Sequence, residues 1–424
     1  MNLYDFSFSF VEEDNYISAY IDFLMRTSGK SLKENLAAMQ LPASSYHYCM
    51  KKGFKNSYFT LEMIEQYFHV KFTYNPETLK KLEQIHSRGF TESFFVSGND
   101  IMKQLREEVY QLKDECRNSV LYPVYALVAI SLLELPDKIE EHKKEVPAYI
   151  DVIEGVYNAL PVDVQYWYRD CLSQYYMSCD DSELVRYPQL IEDILSLDNV
   201  APEELKTVAY YDLSQLYFCI HNLQAALDYT KKCETLYIKY FNPQRLNFLR
   251  NNLTAIAFAC HKYDEAAISA KSNLVYASRE AIKPVLYKSL IMILVSCQIF
   301  LKKYSEAERS LKLFYENNFE DYYPQAILMK MYIHYKEEDY AQFDQYQKEL
   351  LAIVKDKKAP AYVLSELIIN LSSGKKKDMK DFGAKLKEIF VNPFNGYRQI
   401  CEFLKLEYTE YLKKNNRYVE VFDM

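Results

Sequence analysis

Apolar residues recur every three or four positions along most of the chain, which is the spacing of amphipathic helices. Such segments come in pairs separated by short polar turns, as in residues 208–220 and the segment that opens at Leu223. Glycine and proline, with 8 and 13 of 424 residues, are too scarce for a β-rich or low-complexity chain. The pattern therefore predicts an all-α protein.

The second half of the chain repeats itself. The sequence YDEA at residues 263–266 recurs as YSEA at 304–307, 41 residues later, and LQAA at 223–226 lies 40 residues before the first. Weaker copies open at positions 340, 379 and 418. Each copy follows a polar turn. The small alanine at the end of the stronger copies lets two helices cross closely. A single helix pair of this size cannot bury its own apolar face, so neighbouring pairs must stack.

These repeats resemble the tetratricopeptide repeat (TPR). Leu213-Ser214, Tyr217 and Ala226 match its Leu-Gly, Tyr and Ala positions, and Tyr210 stands where its aromatic opener lies. The repeats exceed the usual length of about 34 residues. The resemblance implies a right-handed TPR-like α-solenoid over residues 201–424, preceded by a linker helix and divergent helical repeats over 76–200.

Several short helices are predicted near the N-terminus. Segments 15–25, 31–39, 43–52 and 61–69 carry helical spacing, and Ser31 with Glu34 forms a capping-box pattern. Thr60 is the expected cap of the fourth helix. Between Arg26 and Lys55 the net charge is +5, which leaves −13 for the rest of a chain whose total is −8. The segment of residues 26–55 is thus expected to form a small positively charged surface that can bind phosphate groups on an otherwise acidic protein.

Residues 36–53 resemble the repressor-type helix-turn-helix, in which a short helix and a tight turn precede a polar, basic recognition helix. Gln40 or Leu41 replaces the turn glycine of that family, and the usual Gln at the start of the second helix is missing. The resemblance implies a helix-turn-helix DNA-binding domain with an N-terminal arm over residues 1–75. A plain helical cap on the repeats is the alternative. The predicted DNA contacts are Ser44, Ser45, His47, Tyr48, Lys51, Lys52 and Lys55.

The combination of such a head with a TPR-like array resembles the peptide-pheromone-sensing regulators of Gram-positive bacteria called the RRNPP group. It implies a cytoplasmic, homodimeric transcriptional regulator that binds a short signalling peptide in the concave groove of its repeats. The predicted peptide contacts are Tyr211, Gln215, Asn251, Phe258 and Tyr332, with Phe218 as a further wall residue. The alternative is a TPR-like adaptor or scaffold that binds a protein partner and not DNA.

Other features refine this picture. The nine cysteines are scattered without pairing rhythm, which indicates free thiols and a reducing compartment. No apolar run has the length of a membrane span, so no membrane association is expected. His221 and His261 are interpreted as turn residues, and no metal, cofactor or enzymatic activity is predicted. An aromatic cluster at Tyr408, Tyr411, Tyr418 and Phe422 is the predicted dimer face. The alternating aromatics of residues 4–10 would suit a strand or a packed arm.

Overall fold

The protein is helical throughout the part that its structure describes. The structure, a computed structural model, describes residues 13–54, 57–95, 99–132, 145–177, 185–277, 284–373, 376–391 and 397–415. Within these ranges there is no β-strand, and an isolated bridge joins Lys71 to Ser119. None of the helices in these ranges has both the length and the apolar character needed to cross a membrane. The predicted all-α class is therefore confirmed.

The chain divides into two compact units, residues 1–252 and 253–424. The first part of the first unit contains α1 (Glu13–Thr27), α2 (Leu32–Ala38), α3 (Ala43–Lys52), α4 (Tyr58–Phe68), α5 (Pro76–Phe95), α6 (Asn99–Gln111), α7 (Lys113–Arg117), α8 (Tyr122–Ser131) and α9 (Val146–Val156). These are followed by α10 (Val162–Met177), α11 (Tyr187–Leu197), α12 (Glu203–Cys219), α13 (Leu223–Lys239) and α14 (Pro243–Ala259), the last of which runs past the boundary.

The second unit continues the pairing of helices. It contains α15 (Tyr263–Ala277), α16 (Pro284–Phe300), α17 (Tyr304–Glu316), α18 (Tyr323–Lys336), α19 (Tyr340–Ile353), α20 (Pro360–Ser373), α21 (Lys376–Val391) and α22 (Arg398–Lys414). Its core is formed where α16 packs on α15 and α17, and where α18 packs on α19 and α20.

Short signals near the N-terminus decide where the first helices begin. The Ser31 hydroxyl accepts a hydrogen bond from the Glu34 amide, and the Glu34 carboxylate accepts one from the Ser31 amide, so the predicted capping box is confirmed. The predicted helix over residues 43–52 is also confirmed. The prediction that Thr60 caps the next helix is wrong. That helix begins at Tyr58 with Ser57 as its N-cap, and Thr60 is buried inside its first turn.

The turns inside the helix pairs share one backbone conformation. Four residues in these turns have φ of 58–59°: His221, His261, Lys302 and Glu338. In the first turn the Asn222 amide donates to Tyr217 O at 2.9 Å, and in the second the Lys262 amide donates to Ala257 O at 3.0 Å. These bonds satisfy carbonyls at the end of the preceding helix. The next helices start where the repeat predicted, at Leu223, Tyr263, Tyr304 and Tyr340.

The N-terminal helices of the first unit share a core with the helices that follow them. Tyr16 on α1 is buried and donates its hydroxyl to Val120 O at 2.8 Å. α1 also packs closely on α9, because Phe23 lies over Gly155, where a β-carbon would stand 2.3 Å from the Phe23 ring. The hydrophobic core that begins at Tyr16 continues to Leu249 on α14.

Candidate functional site

The first candidate surface is the exposed side of α3. Tyr46 and Cys49 are buried and fix this helix on the core. Their burial turns the other side outward, where Tyr48 is 62% exposed. Of the predicted DNA contacts, Ser44, His47, Tyr48, Lys51 and Lys52 are exposed, Ser45 is half-buried, and Lys55 lies outside the described residues. The structure thus brings these side chains to one helix surface that is polar and basic.

A left-handed residue lies in the turn between α2 and α3, and a buried amide connects α2 to its neighbours. Gln40, which stands near the place of the missing glycine, has φ of 54°. On α2, the Asn35 side chain is fully buried. Its Nδ2 donates to Ser28 Oγ at 2.8 Å, and its Oδ1 accepts from the Tyr67 hydroxyl at 3.0 Å. One side chain therefore connects the end of α1, α2 and α4, a role that the sequence analysis did not assign.

The second candidate surface lies on the first helices of the repeat pairs in the first unit. Tyr211, Gln215 and Phe218 follow one side of α12 and are all half-buried. Asn251 on α14 is half-buried as well. Its neighbour Asn252 is buried and donates through Nδ2 to Ser214 Oγ at 2.8 Å, which connects α14 to α12. The two adjacent asparagines therefore have different surroundings.

Two acids next to this surface were missed by the sequence analysis. Asp170 on α10 and Asp212 on α12 are both buried. Gln174 Nε2 donates to Asp212 Oδ2 at 2.7 Å and lies 3.5 Å from Asp170 Oδ2. Burial raises the pKa of Asp212 to about 6, although hydrogen bonds from Gln174 and Asp170 and the charge of Arg245 oppose the rise. The sequence did carry a signal for this pair, because each acid stands among apolar residues of its helix and the two lie about one repeat length apart.

Burial also affects Tyr211, the residue next to this pair. It raises the pKa of the Tyr211 hydroxyl to about 12, and the Arg245 guanidinium partly opposes the rise. The guanidinium carbon of Arg245 lies 5.9 Å from the centre of the Tyr211 ring. Tyr211 is therefore neutral at physiological pH and offers a hydroxyl next to a cation.

In the second unit, the two predicted peptide contacts lie in an aromatic cluster. Phe258 packs on Tyr263 and Phe300, with ring centres 5.6 and 5.9 Å away. Tyr332 is 5% exposed, and its hydroxyl donates to Glu407 Oε1 on α22 at 2.8 Å. Tyr332 is thus not an open groove position, because the last described helix covers it.

The predicted dimer face is partly inside the fold. Tyr408 is buried beside Phe382, and its hydroxyl would stand 2.0 Å from a β-carbon at Gly383. This placement corrects the use of Tyr408 as an exposed contact. Tyr411 is half-buried and stacks on Tyr408. Tyr418 and Phe422, like the aromatic arm of residues 4–10, lie outside the described residues.

His221 and His261 lie in turns between helices, as the sequence predicted. His261 has φ of 59°, and its Nδ1 lies 2.8 Å from the Tyr263 hydroxyl. Among the described residues no group of three or more His, Cys, Asp or Glu side chains is arranged to hold a metal ion.

Comparison with known proteins places the fold but not the family. No protein-family model matches the sequence, and no curated protein matches it. Solved structures do match. A Rap protein complexed with Competence and Sporulation Factor has a TM-score of 0.56 at 17% identity, covering 82% of this chain and 95% of that one.

Two further structures are similar. The apo form of RapI has a TM-score of 0.56 at 14% identity, covering 82% of this chain and 94% of that one. Aspartyl phosphate phosphatase F from Bacillus subtilis has a TM-score of 0.51 at 16% identity, covering 81% and 91%. At these identities the likeness concerns the fold. The chain therefore has the helical-repeat fold of Rap proteins.

Proposed function

We propose that this chain is a transcriptional regulator that binds DNA through α3 and a short signalling peptide on the first helices of its repeats. The observation that carries the proposal is the exposed polar and basic surface of α3, on a chain with the helical-repeat fold of a protein solved with a signalling factor. No catalytic step is part of this function.

The short helix α2, the turn at Gln40 and the helix α3 support the DNA-binding part. In a helix-turn-helix the second helix enters the major groove. On α3, lysines in the last turn suit phosphates, while Ser44 and His47 in the earlier turns suit base edges. A homodimer belongs to this proposal, because two heads match two half-sites. Tyr408, which is buried, is not part of its face.

The half-buried side chains of α12 and α14 support the peptide-binding part. An extended peptide leaves its backbone amides and carbonyls unpaired; the side-chain amide of Gln215 can satisfy both, and the amide oxygen of Asn251 can accept from a peptide amide. Tyr211 adds a neutral hydroxyl beside Arg245. We therefore assign the peptide contacts of the first unit to Tyr211, Gln215 and Asn251, with Phe218 as an apolar neighbour.

Loss of the two lysines at the end of α3 is expected to weaken binding to every DNA sequence. The double substitution Lys51→Ala, Lys52→Ala should lower affinity roughly 10- to 30-fold near physiological salt and reduce the salt slope by about 2, because two fewer counterions are released. Fluorescence anisotropy with DNA upstream of the protein's own gene, at several salt concentrations, measures both quantities.

The matched control is a second exposed lysine pair, Lys357→Ala, Lys358→Ala, in the turn before α20. It should leave the affinity and the salt slope unchanged. An equal effect of both double substitutions would mean that the binding is non-specific electrostatics and not recognition by α3. His47→Ala is expected to change which sequence is preferred.

Asn251→Ala is expected to weaken binding of the signalling peptide by about 1–3 kcal/mol, because a peptide amide loses its hydrogen-bond partner. The stability of the fold should change little. Calorimetry with the peptide of a neighbouring small reading frame measures the affinity. Asn252→Ala is the contrasting variant, since it breaks the bond to Ser214 and should lower stability more than peptide affinity. Equal peptide affinities for wild type and Asn251→Ala would remove Asn251 from the site.

The second candidate function is an adaptor that binds a protein partner through the same repeats. One observation favours it: α1 to α4 share a continuous core with helices as far as α14, so the head is not a separate body. Under this alternative, the intact protein shows no salt-sensitive binding to DNA. Neither lysine double substitution then changes the measured anisotropy.

A further inference from the structure

Asp170 and Asp212 form a buried pair where α10 meets α12 in the first unit. Asp170 is fully buried and Asp212 is 5% exposed. Gln174 lies between the two carboxyl groups, because its Nε2 donates to Asp212 Oδ2 at 2.7 Å and lies 3.5 Å from Asp170 Oδ2. The second oxygen of Asp170, Oδ1, is buried without a hydrogen-bond partner in the described part of the chain. An ionised Asp170 would therefore leave a charged oxygen unsatisfied.

Two carboxylates that lie next to the same buried amide cannot both ionise at ordinary cost, because like charges repel and neither is solvated. Burial, followed by the charge of Asp212 and the bond to it, raises the pKa of Asp170 well above its usual range. Burial raises the pKa of Asp212 to about 6. At neutral pH the stable arrangement is a protonated Asp170 that donates to an ionised Asp212.

The groups around the pair include one cation. The titratable side chains that face it from the four helices packed here are Tyr166 and Cys171 on α10, Tyr211 on α12, Cys233 on α13 and Arg245 on α14. Arg245 carries a positive charge and favours the ionised form of each acid, but one positive charge cannot balance two buried negative charges.

We infer that Asp170 and Asp212 hold a proton between them and make the contact between α10 and α12 sensitive to mildly acidic pH. Below the transition both acids are neutral and the contact is uncharged. Above it Asp212 carries a charge in a buried place. Tyr211 is adjacent to Asp212, so, if the proposed peptide site is correct, peptide affinity changes over the same pH range.

The sign of the effect on stability follows from the direction of the pKa. Asp212 is protonated more readily in the folded chain than in the unfolded one, where the pKa is about 3.8. The favourable contribution is therefore complete below about pH 4 and is lost as the pH rises toward 6 and above. An asparagine at position 212 cannot ionise, so its advantage over aspartate grows with pH.

The first test is the melting temperature of the full-length wild type and of Asp212→Asn between pH 4.5 and 7.5. The difference, variant minus wild type, is expected to rise by about 4 °C over this range. Changes in hydrogen bonding shift this difference by a constant, so the rise with pH is the signature. Asp228→Asn, at an exposed acid on α13, is the control whose difference should stay constant. A flat difference for Asp212→Asn overturns the inference.

A second measurement keeps the inference testable if Asp212→Asn fails to fold. Infrared difference spectroscopy distinguishes a protonated carboxyl from a carboxylate by its carbonyl stretch. The wild type at pH 7 is expected to show a protonated carboxyl that disappears in Asp170→Asn, whose amide can still donate to Asp212. Absence of that band from the wild type, or its persistence in Asp170→Asn, overturns the inference. Neither measurement uses a peptide or DNA, so failure here is separate from failure of the proposed function.

Discussion

Asn35→Ala is expected to destabilise the first unit by about 2–4 kcal/mol and to lower DNA affinity tenfold or more. The Asn35 side chain donates to Ser28 Oγ at 2.8 Å, to Met25 O at 3.2 Å and to Lys30 O at 3.3 Å. It also accepts from the Tyr67 hydroxyl. Alanine removes all four bonds, among them the buried one to Met25 O, and a buried polar group that loses its partner costs about 1–3 kcal/mol.

The loss of DNA binding would follow from geometry and not from a lost contact. Asn35 is fully buried, so it cannot touch DNA itself. Without it, α2 is no longer fixed to the end of α1 and to α4, and α3 loses its defined angle. Affinity for the peptide should be unchanged, because that site lies on α12 and α14.

Urea denaturation followed by tryptophan fluorescence measures the stability change, since Trp167, on α10 in the first unit, is the only tryptophan of the chain. Anisotropy measures the DNA affinity. Asn158→Ala serves as the control, because Asn158 is an exposed asparagine of the first unit. If Asn35→Ala is no more destabilising than this control, the buried network does not hold the first helices together.

The sequence was sufficient for the all-helical class and for several helix starts, because their signals are local. The capping box of Ser31 and Glu34 fixes the start of α2 regardless of the rest of the chain. The repeat fixes the starts of α13, α15, α17 and α19 in the same way. The start of α4 was missed because Thr60 has the chemistry of a cap but is buried in the first turn, three residues beyond Ser57.

The candidate site was less predictable because burial depends on distant residues. Within its own helix, Tyr332 occupies the position expected to face the groove. The hydroxyl of Tyr332 nevertheless donates a hydrogen bond to Glu407 on α22, 75 residues later in the chain. The partnership of Asp170 and Asp212 likewise depends on how α10 packs on α12. The exposed side of α3 was predictable, since Tyr46 and Cys49 share the helical spacing that directs them inward.

Phe403→Ala is expected to have the largest effect on the second unit, about 3–5 kcal/mol of its stability. The Phe403 ring is 1% exposed. Its centre lies 4.7 Å from that of Phe300 on α16 and 5.1 Å from that of Tyr332 on α18. Alanine would leave a cavity between three helices that pack around one ring, and backbone rigidity limits how far they can close it.

The consequence for α22 is more specific than a general loss of stability. Phe403 and Glu407 lie one helical turn apart, and both hold α22 on α18, the second through Tyr332 and Lys336. Glu407, with a side chain 14% exposed, is too weak an anchor to hold a helix by itself, because the cost of desolvating a largely buried ion pair offsets its attraction. Phe403→Ala should therefore release α22 locally before the rest of the unit unfolds.

Hydrogen exchange over residues 397–415 tests the release, and circular dichroism in urea tests the stability. Leu406→Ala is the matched control, because Leu406 lies on the same helix and is 47% exposed. It should leave the exchange of α22 slow and cost less than about 1 kcal/mol, since a half-exposed leucine buries little apolar area. Slow exchange of α22 in Phe403→Ala would show that Glu407 and the packing on α20 and α21 hold the helix without the aromatic stack, and that Tyr332 stays covered.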